Sequence, residues 1–94
     1  MPEEYSTEQN QALSQMYDVV KQLVEVEELQ NRRYQPILSL KNALDQATAD
    51  IALDNYPSYA NLEARLRRTI NQAREAGLGD HPDVKIYAKL AGAI

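Results

Sequence analysis

Asn31 to Leu40 reads NRRYQPILSL, and the path of the chain through this stretch decides the fold. A proline stands inside an otherwise helical pattern. Downstream of it, Ile37, Leu40, Leu44, Ala47 and Ile51 recur at steps of three, four, three and four. Upstream, the same rhythm passes through Ala12, Met16, Val19, Leu23 and Val26, then lands on Gln30 and Arg33. The phase therefore survives the proline, as it would in one long helix. Yet the two polar positions in the seam adjoin the proline, as they would at a connection between helices.

Backbone energetics separates the two paths. A proline inside a helix removes a hydrogen bond, clashes with the carbonyl four residues back and costs about 3 kcal/mol. At the first position of a helix it costs almost nothing, because that amide is unpaired in any case. The residue before it, Gln35, is pushed toward extended geometry. Unbroken, a helix from Thr7 to Leu53 would be about 70 Å long, a rod whose two faces a chain of this size could not cover. The balance favours a break or sharp bend over 32–36, with a second helix starting at Pro36. A single kinked helix remains the alternative, since the stretch holds no glycine and Asn31 is the only residue before Tyr34 suited to a left-handed cap.

Outward from this stretch the elements are clearer. Ser6 followed by Gln9 forms the pattern of a capping box, and Glu8 suits the positive end of the helix that follows. A second apolar row, Leu13, Tyr17, Val20 and Val24, widens the stripe of this first helix, so it should bury against more than one neighbour. Asp54, Asn55, Pro57 and Ser58 mark a turn and cap. A third helix then carries Tyr59, Leu62, Leu66, Ile70 and Ala73 on one face, with Glu63 and Arg67 placed as an i,i+4 pair. Gly77 is the left-handed residue that ends it, and Leu78 is the apolar contact of a Schellman motif. Asp80 or His81 caps a last segment in which Val84, Tyr87, Ala88 and Ala91 repeat as in a short helix. Val84, Ile86, Ala88 and Leu90 alternate as in a strand, but no second strand is available to pair with them. The expected fold is a single all-α domain: three main helices at about 7–31, 36–53 and 58–76, and a short C-terminal helix at about 82–91.

Composition narrows the chemistry. The 94 residues contain no Cys, Phe or Trp, and every aromatic side chain is one of six tyrosines. Without cysteine, disulfides and thiolate metal sites are excluded. His81 is the only histidine, and beside Pro82 it reads as a helix-start residue, since a catalytic histidine needs oriented partners. Asp80, His81 and Asp83 seldom suffice to close a metal shell from one cap, and Glu25 with Glu28 lacks the Glu-x-x-His partners of a bundle di-iron site. No phosphate-binding glycine loop or nucleophile triad is present. The reading is of a non-enzyme without cofactor or metal. The start, MPEEYSTEQ, has neither a basic nor an apolar signal segment, and no apolar run approaches transmembrane length. A soluble, cytoplasmic protein is expected, or one built into a particle inside the cell.

What remains is binding. The apolar stripe, the tyrosines and the apolar tail LAGAI point to packing against copies of the chain or a larger partner, with Tyr17, Val20, Val24, Tyr34, Tyr59, Tyr87, Leu90 and Ile94 as candidate contacts. By analogy of architecture alone, particle components and secretion-type helical chaperones share this build. Two alternatives rest on charge. Residues 1–30 carry seven acids against one lysine, which suits an inhibitor of a basic partner. Arg65, Arg67, Arg68 and Arg74 on the third helix could contact an acidic partner, or nucleic acid in a helix–turn–helix-like regulator. The net charge of −4 argues against the latter.

Overall fold

The computed structural model describes residues 5–92 of the chain, and those residues form an all-α bundle. Helix α1 spans Thr7–Arg33, α2 spans Leu40–Leu53, α3 spans Tyr59–Ala73 and α4 spans Pro82–Leu90. A π-type turn over Arg74–Leu78 prolongs α3. No strand occurs among the described residues. The C-terminal segment is therefore helix.

The chain breaks after Arg33. The amides of Tyr34 and Gln35 still donate to the carbonyls of Gln30 (3.2 Å) and Arg32 (3.3 Å), and Pro36 to Leu38 run without helical structure. Helix α2 begins at Leu40 and not at Pro36 as the pattern suggested. The physical reason is the cap. Ser39 has extended backbone and its Oγ accepts from the amide of Asn42 at 3.2 Å, whereas a helix starting at Pro36 would have Gln35 as its cap, which is not among the favoured cap residues. Helix α1 also runs two residues past the anticipated 31, and its last turn carries Arg32 and Arg33, which suit the negative end of its dipole.

The start of α1 and the end of α3 meet at Gln9. Its amide donates to Ser6 Oγ at 3.1 Å, and its Oε1 accepts from the Ser6 amide at 3.0 Å, completing the capping box. Its Nε2 donates to the carbonyl of Ala76 at 2.9 Å, tying the start of α1 to the end of α3. There Gly77 takes φ 88, a left-handed conformation that L residues rarely adopt. An added Cβ would meet Gln9 Nε2 only at an ordinary 3.6 Å, so backbone strain and not crowding reserves the position for glycine. Leu78 beyond it is buried, and His81 caps α4 by accepting the Asp83 amide at Nδ1 (3.1 Å).

The main core joins α1, α3 and α4 through Ala12, Leu13, Met16, Val19, Leu66, Ile70, Ala73, Leu78, Val84 and Ala88. Helix α2 contributes nothing to it. It lies antiparallel on the distal half of α1, where Arg33 pairs with Asp50 at 2.8 Å, the Tyr56 hydroxyl donates to Glu25, and Val26 and Ala49 are buried. The result is a long molecule of 53 × 28 × 20 Å with a radius of gyration of 16.8 Å, against about 12 Å for a compact chain of this length.

This division predicts an uneven response to mutation, readable by urea unfolding. Ile70→Ala, in the core, should cost about 2–5 kcal/mol, and Gly77→Ala about 1–2 kcal/mol through its φ alone. Ile51→Ala on the outer face of α2 should change stability by less than about 0.5 kcal/mol.

Candidate functional site

The apolar row Ile37, Leu40, Leu44, Ala47 and Ile51 faces solvent. A helix turns 100° per residue, which puts the side of α2 that meets α1 (Asn42, Ala43, Gln46, Ala49 and Leu53) roughly 140–150° from that row. Apart from Leu53 at its last turn, small and amide side chains point inward, and the large aliphatic ones point out. Two contacts hold α2 in this rotation besides the Arg33–Asp50 pair: the Gln46 side chain donates to the Gln35 carbonyl, and the Tyr56 hydroxyl just past its end donates to Glu25. With Tyr34 and Leu38 at the hairpin tip, the row forms one exposed apolar surface. Tyr34 stands open, with the Arg33 guanidinium 5.9 Å from its ring centre.

A second surface lies on the other half of the molecule. Of the candidate contacts read from the sequence, Val20, Val24, Tyr59, Tyr87 and Leu90 come together on one groove of about 500 Å³ between α1, α3 and α4. Leu23, Leu66 and Ala91 complete its apolar lining, and Glu27 and Glu63 stand in its wall. Tyr34 is separated from this groove at the hairpin tip, and Ile94 lies outside the described residues. Tyr17 is committed within the chain. Its hydroxyl donates to Asp83, and its ring meets Tyr87 edge-on at 6.3 Å. Sequence reasoning missed Ile37, Leu38, Leu40, Leu44 and Ile51 as a surface, because their rhythm matches that of a core face. The signal that could have exposed them is the companion row Ala43, Gln46, Ala49 and Leu53, which offers α2 a second way to pack.

The arginines do not form one outward row. Arg67 is bound to Glu63 at 3.7 Å and donates to the Ala91 carbonyl at 3.3 Å. Arg65 and Arg68 border a depression of about 300 Å³ that also includes Asp18 and Gln15. Arg74 is exposed beyond them at the start of the π-type turn. The acids of α1 are likewise divided: Glu25 accepts from Tyr56, Glu27 lines the groove, and Glu28 is exposed. Among the described residues, no three His, Cys, Asp or Glu side chains cluster closely enough to hold a metal ion. Nor is any helix there long and apolar enough to cross a membrane.

No protein-family model matches the chain, and neither a curated protein nor a solved structure matches it.

The Tyr17–Asp83 contact joins α1 to α4 and gives the fold an alkaline signature. Burial first, then the hydrogen bond and the Asp83 charge, push the Tyr17 pKa from 10.0 up to about 12. The folded chain thus holds this proton more tightly than the unfolded chain does. The contribution is complete below the unfolded value near pH 10 and is lost as pH climbs toward about 12. Stability of the wild type, measured in urea at rising alkaline pH, should therefore fall more steeply than that of Tyr17→Phe; parallel curves would show that the contact carries no linkage.

Proposed function

We propose that this chain is a non-enzymatic helical interaction protein, an assembly component or adaptor that works by docking its exposed apolar surfaces onto protein. The observation that supports this reading is the outward face of the α2 hairpin. Ile37, Leu38, Leu40, Leu44 and Ile51 are 64%, 84%, 77%, 58% and 69% exposed. Single apolar residues on a surface are ordinary. A contiguous set of five large aliphatic side chains marks a contact site.

Magnitudes agree with that role. Burying an aliphatic side chain of this size is worth about 1.5–3 kcal/mol, so covering five would return roughly 8–15 kcal/mol. Association costs about 4–15 kcal/mol in lost freedom. The two are of the same order, which fits a reversible contact completed by polar complementarity. The arginines lend the nucleic-acid alternative less support: Arg67 is already engaged, and Asp18 lies beside Arg65 and Arg68. For the inhibitor alternative, Glu25 is taken up by Tyr56.

The test is site-specific photo-crosslinking in living cells that express the chain. A photoreactive residue replacing Leu38 or Leu44 should give discrete protein adducts, and one replacing the exposed Asn71, away from both surfaces, should not. Equal background at all these positions would overturn the proposal.

A further inference from the structure

We infer that the partner of the hairpin tip is a second copy of this chain, which receives the tip in its groove between α1, α3 and α4, so that copies join head to tail. The inference rests on the interaction role proposed above and names its partner.

Charge selects the pairing. The longest acid-free stretch of the chain is 29–44, and it holds Arg32, Arg33 and Lys41 in a protein of net charge −4. Arg33 is occupied by Asp50. Arg32 and Lys41 remain exposed beside Leu38 and Leu40. The groove is the counterpart: its charged lining residues are Glu27 and Glu63, and the one cation shown at its rim, Arg67, is engaged with Glu63 and the Ala91 carbonyl, which leaves the charge of Glu27 uncompensated. Glu27 makes no ion pair among the described residues, while Glu63 is paired with Arg67 at 3.7 Å. Pairing two tips would bring the cations of both copies together, and pairing two grooves would do the same with the carboxylates. Like charges across an interface oppose it. Tip into groove joins apolar to apolar and sets opposite charges side by side.

The tip of a chain cannot reach that chain's own groove. The tip lies beyond Arg33, nine residues or about 14 Å along α1 from Val24, and α2 turns back along α1 held by Arg33–Asp50, Gln46–Gln35 and Tyr56–Glu25. The occupant is therefore another molecule. Because tip and groove are different patches, the contact does not end at a pair. It leaves one free tip and one free groove, and repeats into a ring or an open filament.

Sedimentation velocity on the full chain tests this, with two charge-introducing variants. Leu38→Glu disables the tip and leaves the groove. Leu90→Glu disables the groove and leaves the tip. Both side chains are largely exposed, at 84% and 77%, so the fold is retained, which thermal unfolding by circular dichroism checks. The wild type should grow beyond dimer with concentration and weaken with salt. Each variant alone should associate at least about tenfold more weakly. An equimolar mixture of the two should recover a one-to-one dimer and nothing larger, because one intact tip and one intact groove remain. A wild type that stays monomeric at every concentration would overturn the inference, as would a wild-type dimer whose variants do not complement each other on mixing. Photo-crosslinks from Leu38 to a different protein alone would sink self-assembly and leave the interaction role standing. No crosslink at all would remove both.

Discussion

Gln30 and Arg33 occupy the positions where the α1 seam would otherwise continue, and the arrangement of α2 follows from them. A row of leucines packed there would bury an amide and a guanidinium without enough partners, at a cost of several kcal/mol. Val26 is the last fully buried apolar residue on α1. The helix that returns over this surface must bring small and hydrogen-bonding side chains to it. Ala43, Gln46 and Ala49 meet that demand, Asp50 reaches Arg33, and the aliphatic row is left facing water. The exposed surface is thus a consequence of two polar residues on a neighbouring helix and does not arise from α2 alone.

The rest of the molecule is built to tolerate this. The core of α1, α3 and α4 closes without α2, and Gln9 links the first turn of α1 to the last carbonyls of α3. Among the described residues, no buried side-chain polar atom is left without a partner; the one buried polar side chain, Thr69, donates to the Leu66 carbonyl at 2.8 Å. A proximal half that is satisfied in this way can carry a distal hairpin of low intrinsic stability. Such elements are the ones that reorganise or dock, because local opening costs less there than in the core.

Much of the fold was legible because it depends on local chemistry. Ser6 with Gln9, Ser58 before α3, Gly77 and His81 act within a few residues of themselves, so their roles can be read without knowing the fold. The stripe of α1 was legible for a related reason: Ala12, Met16, Val19 and Val26 face a real core. The limits are equally physical. Pro36 suits a first helical position, but Ser39 is a better cap than the Gln35 that precedes the proline, and the helix starts where its amides are satisfied. The row Ile37 to Ile51 keeps perfect rhythm, yet periodicity shows only that a helix has two faces. Which face turns inward depends on the surface opposite, here on Gln30 and Arg33. Tyr17 shows the same limit, since its spacing marks it as apolar and gives no hint that its hydroxyl meets Asp83, sixty-six residues away.

The groove and the tip differ in physical origin. Val20, Val24, Tyr59, Tyr87 and Leu90 sit at the margins of stripes that do enter the core, so the groove is the edge of a folded structure left incomplete. The tip is the opposite case, a set of side chains excluded from any core by the polarity of the neighbouring helix. One surface lacks apolar atoms to cover it, and the other has apolar atoms with nowhere to go. Rotating α2 to bury its leucines would not repair either. It would break the Arg33–Asp50 pair, expose Ala49 and press an aliphatic row onto Gln30, while the groove on the far half of α1 stayed open. No rearrangement of α2 alone therefore satisfies both surfaces at once.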